Sequence, residues 1–278
     1  MESFVSLACE KNSIPEQNCA YCSKQRDAIE KDFSLMRESP AHLLVGYWKK
    51  GTLACIMGFF FNSENGWVDC IGPFFREDWD IPDAKALFTY GKEHLKSATQ
   101  YNFFFDCRNT GCARLMRELQ ASAQDNEYIL RLCRDKYKAP RLAETVIPYS
   151  PVYRDEIIAL HREAFGEIYL DAEALIASHD KGRKLFCART ERGFAGYGAL
   201  QYDENGDNLT AEVFAVKREL RGRGYGWALL NTVIQYAFAH FPGNQIHLVV
   251  DKLNERAQKL YCSCGFELVT ENCAYRLK

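Results

Sequence analysis

The sequence predicts an α/β protein made of two similar domains, 1–141 and 142–278, and three observations carry that prediction. Short runs of β-branched and aromatic residues alternate with longer stretches whose apolar residues recur at helical spacing. The order strand, loop, helix, strand, Asn-started helix, strand occurs in the second half and recurs in the first after a shift of 145 residues. At 278 residues and 31.9 kDa, with 47% apolar and 26% charged residues, the chain has the composition of a globular protein. Its length allows two domains of roughly 150 residues.

The second half reads most clearly. Residues 152–165 and 172–178 have helical spacing, and 184–190 and 194–202 read as strands parted by Glu191-Arg192-Gly193. The turn Glu204-Asn205-Gly206-Asp207-Asn208 leads into a strand at 209–216. After a charged loop comes a helix with the apolar stripe Leu230, Val233, Ile234, Ala237, Phe238 and Phe241, stopped by Pro242-Gly243. A β-branched strand follows at 245–251. Asn254 caps a short helix with Ala257, Leu260 and Tyr261 on one face, Gly265 ends it, and two short strands are expected to finish the chain.

Under the shift of 145, Val68, Arg76, Gln100, Asp106, Asn109, Leu115, Arg131 and Leu132 are identical to Val213, Arg221, Gln245, Asp251, Asn254, Leu260, Arg276 and Leu277. These identities are only about twice chance, and the matching order of elements is the stronger sign of a repeat. The join is expected at 138–145, around Pro140.

Charge and patterning exclude several classes. The net charge is −2, with 19 basic and 19 acidic residues up to Arg141 and 16 and 18 beyond it, so there is no basic arm to displace counterions from nucleic acid. No run approaches the 18 apolar residues of a membrane span. The start, Met1-Glu2-Ser3 and on to Glu10-Lys11, shows no basic and then apolar leader, so a cytoplasmic protein with reduced thiols is expected. Among the twelve cysteines, Cys19-Ala20-Tyr21-Cys22 is the one C-x-x-C; with Cys9 it makes an incomplete zinc set, and no metal is expected.

The strongest chemical signal is Arg221-Gly222-Arg223-Gly224-Tyr225-Gly226, between a strand and a long helix. Alternating glycines let the backbone approach a ligand and turn several N–H groups to one side. The helix behind adds its unpaired N-terminal N–H groups and the positive end of its dipole. Arg221 and Arg223 add charge, so the loop is suited to a phosphate or pyrophosphate. It is not a Walker loop, because Gly226-Trp227 replaces Gly-Lys-Ser/Thr. Asp251 could imitate the ribose-binding acid of a dinucleotide fold, but only 27 residues follow it, too few to complete that sheet.

At these residues the sequence resembles the GNAT family of acetyl-CoA-dependent N-acetyltransferases. The family's pyrophosphate loop, Arg/Gln-x-x-Gly-x-Gly/Ala, is matched by Arg221, Gly224 and Gly226, with Val216 ending the strand five residues upstream. Its downstream motif, Asn-x-x-Ala-x-x-Leu-Tyr and then Gly-Phe, is matched by Asn254, Ala257, Leu260, Tyr261 and Gly265-Phe266. The resemblance covers roughly 143–278; Arg218, where many members have Pro, is a departure in a loop. It implies tandem domains, each a central mixed sheet flanked by helices.

The resemblance also implies roles. Backbone groups of Phe214, Ala215 and Val216 would pair with the pantetheine arm as an added strand. The amides of Gly222, Arg223, Gly224, Tyr225, Gly226 and Trp227 would cradle the pyrophosphate, Asn254 would touch the cofactor, and Tyr261 would meet the sulfur as general acid. Glu212, two residues before Phe214, is the expected general base; Glu163, His161 and Glu167 lie where the family builds acceptor loops. In the first half the loop is replaced by Glu77-Asp78-Trp79-Asp80-Ile81-Pro82-Asp83, whose four carboxylates would repel a pyrophosphate, and Met116 replaces Tyr261. A degenerate first domain without its own turnover is therefore expected.

The expected activity is transfer of an acetyl group from acetyl-CoA to a primary amine by direct attack in a ternary complex. Deprotonating a lysine-like amine at pH 7 costs about 4.6 kcal/mol, an α-amine about 1 kcal/mol, which is the work of the base. The acceptor, a small molecule or a peptide, is left open. The competing reading is a non-catalytic module that senses acyl-CoA.

Overall fold

Along the chain, the computed structural model describes residues 1–63, 65–141, 145–166 and 170–278. The first half forms α1 (Glu2–Asn12), α2 (Arg26–Glu38), β1 (Leu43–Lys49), β2 (Thr52–Asn62), β3 (Trp67–Phe75), α3 (Ile81–His94), β4 (Gln100–Asp106), α4 (Thr110–Glu118), β5 (Ser122–Ala123) and β6 (Glu127–Cys133). The second forms β7 (Val146–Pro148), α5 (Arg154–Phe165), α6 (Ala172–Ala177), β8 (Arg183–Thr190), β9 (Gly193–Tyr202), β10 (Leu209–Val216), α7 (Tyr225–His240), β11 (Gln245–Asp251), α8 (Glu255–Ser263) and β12 (Glu267–Leu277). The expected fold class, mixed α/β with helices flanking each sheet, is the one observed. Of the expected join, 142–144 lie outside the described residues, as does the candidate Glu167.

Two compact units are present: Met1–Glu127 with Thr270–Lys278, and Tyr128–Val269. They differ from a cut between 141 and 142, because the last strand of each half belongs to the other half's unit. In the first unit the strand order is β1-β2-β3-β4-β12, with β5 on β12. Only β3 and β4 are parallel there; β12 pairs antiparallel with β4, Asn272 opposite Asp106 through Leu277 opposite Tyr101. One face carries α1 and α2, whose Leu7, Ile29 and Phe33 pack on Ile56, Ile71 and Phe74. The other carries α3 and α4, whose Leu87, Phe88 and Leu115 pack on Phe59, Val68 and Phe103.

In the second unit the order is β6-β11-β10-β9-β8-β7, with β10 and β11 parallel. Of the apolar stripe expected on α7, Leu230, Val233, Ile234 and Ala237 are fully buried, with Leu229, against Leu209, Ala211, Ile246 and Leu248; Phe238 is partly buried, and Phe241 lies just past the helix end. Each such Leu, Val or Ile stabilises by about 1.5–3 kcal/mol. Arg134, after β6, donates to the carbonyls of Phe238, Phe241 and Gly243 and so satisfies the C-terminal end of α7. The opposite face carries α5 and α6, with Ile157, Leu160 and Leu175 on Leu185, Tyr197 and Ala199.

The repeat is visible in the bounds: under the shift of 145, β4 coincides with β11 and α4 with α8. Two element readings are corrected. The chain ends in one strand, β12, rather than two short ones, because nothing in 267–277 breaks its extended backbone. The first helix of the second half begins at Arg154, after a 3₁₀ turn at Pro151–Tyr153. In the first half β3 runs to Phe75 through an irregular register with β2 at Gly72 and Pro73. Among the described residues no helix is long and apolar enough to cross a membrane.

In the first unit Tyr275 stacks on Phe105 at 5.7 Å, and Cys273 and Leu277 also pack on the core. Deleting 270–278 should therefore destabilise the first unit, although it removes no residue of the glycine-rich loop. Scanning calorimetry should show a transition lowered by several degrees; an unchanged thermogram would mean that β12 contributes nothing to that unit.

Candidate active site

The site begins with a strand that changes partners. β10 pairs with β11 only at Leu209–Ile246 and Thr210–His247, then parts from it while staying paired with β9 to Val216. Where it parts, the register with β9 shifts between Ala211 and Val213, leaving Glu212 as an extra residue, a β-bulge. Side chains on a strand alternate faces, so one extra residue reverses the alternation. Accordingly Leu209 and Ala211 face α7, whereas Val213 and Ala215 face α5 and α6. Phe214 and Val216 now point to the α7 side, and the freed edge of 214–216 opens on a gap.

The glycine-rich loop closes one end of this gap. Gly222 and Gly224 have φ of +82° and +87°, a left-handed backbone that glycine adopts without the Cβ penalty. Gly224 is the N-cap of α7, and no side chain caps that helix. The first bond of α7 runs from Ala228 N–H to Gly224 O at 2.9 Å, so the amides of Tyr225, Gly226 and Trp227 precede the ladder. Arg221 Nε donates to Val216 O at 2.9 Å and ties the loop back to the end of β10. Val216 thus brings its carbonyl to the site already bonded.

The other wall is α8. Asn254 caps it, its Oδ1 accepting from Ala257 N–H at 3.1 Å, which leaves the amide Nδ2 for a ligand. Two turns on from the cap, Tyr261 lies half-buried with its ring edge-on to Phe266 at 6.2 Å. Burial pushes its hydroxyl up to about 12, so the proton is held across the neutral range.

These elements enclose a cleft of about 460 Å³. Of the residues expected from sequence, Phe214, Ala215, Val216, Arg221, Gly222, Gly224, Gly226, Trp227, Asn254 and Tyr261 line it. Arg223, Tyr225 and Glu212 do not. Both carboxylate oxygens of Glu212 accept from Arg183, at 2.6 and 2.8 Å, and its side chain is only 4% exposed. His161 is also committed: Nε2 donates to Leu170 O at 3.0 Å, and Nδ1 meets the Tyr197 hydroxyl at 2.5 Å. Glu163 is exposed on α5.

Sequence reasoning missed Arg256, Ala164 and Phe165, which also line the cleft. Arg256 places its guanidinium within 3.8 Å of where a Cβ on Gly222 would lie, adding a second arginine, beside Arg221, to the loop end of the cleft. Its position in the Asn254 motif was a usable signal. Phe165 had none, because it reaches the site through the packing of α5.

At the corresponding place in the first unit the chain fills its own cleft. Asp80 caps α3, accepting from Asp83 N–H at 3.2 Å, and Lys49 pairs with both aspartates. Trp79, at the position of Gly224, lies directly on Gly111, where any Cβ would clash with its ring, and packs tilted against Phe75 with ring centroids 4.9 Å apart. Asn109 caps α4 as Asn254 caps α8, but its Nδ2 donates to Asn18 O at 3.2 Å. Met116, in place of Tyr261, is fully buried. Of the cysteines once weighed for zinc, Cys19 and Cys22 are buried, and the Cys19 thiol, pushed up to about 11 by burial, donates to Cys70 O.

No curated protein matches the chain at a significant level. The solved structures do. A GCN5-related N-acetyltransferase from Sphaerobacter thermophilus superposes with a TM-score of 0.77 at 16% identity, covering 99% of this chain and 91% of that one. A tandem GNAT protein from the clavulanic acid biosynthesis pathway gives 0.72 at 13% identity, covering 99% and 94%. A putative acetyltransferase from Pyrococcus horikoshii gives 0.61 at 14%, covering 99% and 85%. At these identities the likeness is one of fold. A model of the acetyltransferase (GNAT) family matches residues 153–266, which contain the parted strand, the glycine loop, Asn254 and Tyr261. With that match and those folds, residues 153–266 are a domain of the GNAT acetyltransferase family.

Proposed function

We propose that the second unit transfers an acetyl group from acetyl-CoA to a primary amine, and that the first unit binds no cofactor. The observation that carries this reading is the convergence, in one cleft, of a parted strand edge, an uncapped helix start and the Tyr261 hydroxyl. Acetyl-CoA would supply an activated thioester. The edge of 214–216 offers main-chain groups to its pantetheine amides. The amides at 225–227, with Arg221 and Arg256, offer fixed positive charge to its pyrophosphate. Asn254 Nδ2 is free to hold the arm between them.

At the reacting end Tyr261 is the proton donor. The leaving sulfur gains charge as the carbon–sulfur bond breaks, and a thiolate leaves reluctantly in a dry pocket. A tyrosine that holds its proton up to about pH 12 donates a hydrogen bond to that sulfur and gives up the proton only as charge develops. The acceptor amine enters from the side opposite the loop. In the first unit, Asp80 stands where a phosphate would bind, and Trp79 covers the ground of the cofactor. That unit therefore has a supporting role.

Gly226 provides a clean test of the phosphate cradle. A Cβ there would meet Leu260 Cδ2 at 3.5 Å and Val216 Cγ2 at 3.9 Å, ordinary contacts that leave the fold intact. The family motif allows Ala at this position, so Gly226→Val is the informative variant: it should still fold, yet bind coenzyme A about tenfold to 10²-fold more weakly by calorimetry, because its methyl groups hold the pyrophosphate away from the amides. Wild-type protein should bind one acetyl-CoA per chain. Two sites would show that Trp79 and Asp80 do not close the first unit.

Tyr261→Phe keeps the ring and removes the hydroxyl. CoA affinity should hold while kcat falls about 10²–10⁴-fold where chemistry limits the rate. Because the protonated form is the active one, its contribution persists below pH 12 and is lost only as pH rises through about 12. A pH–rate profile with an alkaline limb near 10 that vanishes in the Phe variant would show a solvated tyrosine instead. Binding without acetyl transfer to any amine of a broad panel would make the chain an acyl-CoA sensor.

A further inference from the structure

We infer that Arg183 and Glu212 form a positioning pair that holds open the strand edge used by the cofactor, and that Glu212 is not the catalytic base. The inference rests on the reading that the cleft takes acetyl-CoA. Glu212 is the extra residue of the β10 bulge, the point where β10 turns away from β11. A bulge bends its strand and increases the local twist, and it persists only where something fixes the extra residue. Here the fixing group is a guanidinium from two strands away.

Arg183 opens β8, opposite Gln201 of β9, which is itself opposite Thr210 of β10. From there it reaches across β9 and grips both oxygens of Glu212 with Nε and Nη2. Leu185 and Cys187, which alternate with it on β8, face α5 and α6, as does Val213. The pair thus lies on the face away from the phosphate loop, and the two side chains are 16% and 4% exposed. A planar fork bonding a carboxylate through two parallel hydrogen bonds fixes direction as well as distance. With Glu212 held to the α5–α6 face, Val213 must share that face, and Phe214 and Val216 must turn to the other. That reversal sets where the backbone of 214–216 presents its groups.

The first unit is the internal comparison. Asp69 pairs with Asn102 as Thr210 pairs with His247, so the place of Glu212 is taken by Ile71, which has no carboxylate for an arginine to hold. Its register irregularity comes only at Gly72 and Pro73. Counted along β4 and β11, the parallel pairing stops at the same place in both units, at Asn102 and at His247, but β3 is turned by Gly72, at φ +87°, and Pro73 rather than by an ion pair, and the cleft beyond is filled by Trp79.

The base reading conflicts with this geometry. A base must present an oxygen to the acceptor amine directly or through a water. Both oxygens of Glu212 are taken by Arg183, and its side chain does not line the cleft.

The test is a double-mutant cycle on the full chain, read by calorimetry with coenzyme A, by kcat and KM for acetyl-CoA, and by the pH–rate profile. Glu212→Gln and Arg183→Met should each raise the CoA dissociation constant and KM by about tenfold to 10²-fold, the cost of a displaced binding edge. Their double variant should be no worse than either alone. The acid limb of the profile should keep its midpoint in every variant. Arg183→Lys should recover only part of the affinity, since an ammonium cannot reproduce the fork. If the single variants fail to fold, the swapped pair Arg183→Glu/Glu212→Arg decides. It should restore CoA affinity and kcat together, although position 212 then carries no carboxylate.

The inference is overturned if Glu212→Gln abolishes kcat and the acid limb while Arg183→Met leaves them intact, or if the swapped pair binds CoA normally but stays inactive. It is also overturned if the single variants bind CoA as the wild type does. Failure of the wild type to bind coenzyme A would instead remove the acetyl-CoA reading on which the inference stands.

Discussion

Two neighbouring parallel strands that stop bonding to one another leave main-chain N–H and C=O groups facing a half-buried gap. Such groups need partners, because a buried backbone polar group without one costs about as much as a lost hydrogen bond. The second unit meets this demand in three places. β9 keeps one edge of β10 paired to Val216, Arg221 takes the Val216 carbonyl, and the remaining edge faces the cleft. The glycine loop, the bare start of α7 and the capped start of α8 are arranged around that one discontinuity.

The first unit has the same frame and the opposite solution. Its parallel strands also part, after Asp69, but the positions that would receive an anion and a cofactor arm are occupied by its own side chains. A carboxylate at the N-terminus of α3 takes the amide of Asp83, where α7 has no side-chain cap, and the dipole there favours it. An indole over a glycine replaces the volume of a ligand, and its buried Nε1 finds no hydrogen-bond partner among the described residues. The substitutions are mutually supporting. Asp80 needs no external phosphate, Lys49 balances the aspartates, and Gly111 makes room for the ring that covers it.

Much of this was legible in the residues themselves. The apolar stripe of α7 at helical spacing, the Asn254 cap and the alternating glycines each state their local conformation, because capping, periodicity and positive φ are short-range properties. The order of elements, repeated at a shift of 145, marked the two similar halves. Ten of the expected site residues line one cleft because two local motifs, the glycine loop and the Asn254–Tyr261 helix, bring most of them there.

What the sequence by itself determined, then, is which backbone segments are helix, strand and turn, and which loop can bind an anion. Tertiary structure decided the rest. Leu209, Ala211, Val213 and Ala215 read as a strand of unbroken alternation, and nothing in them announces a bulge; the reversal of faces at Glu212 shows only in the pairing of β10 with β9, where Arg183, 29 residues earlier, bonds to Glu212. A carboxylate that looked like a base became half of an ion pair for that reason. The terminal strands likewise pair outside their own half, β12 on β4 and β6 beside β11. Strand pairing joins residues distant in sequence through backbone groups that every residue carries, so the chain contains no local mark of which edge a strand will complete.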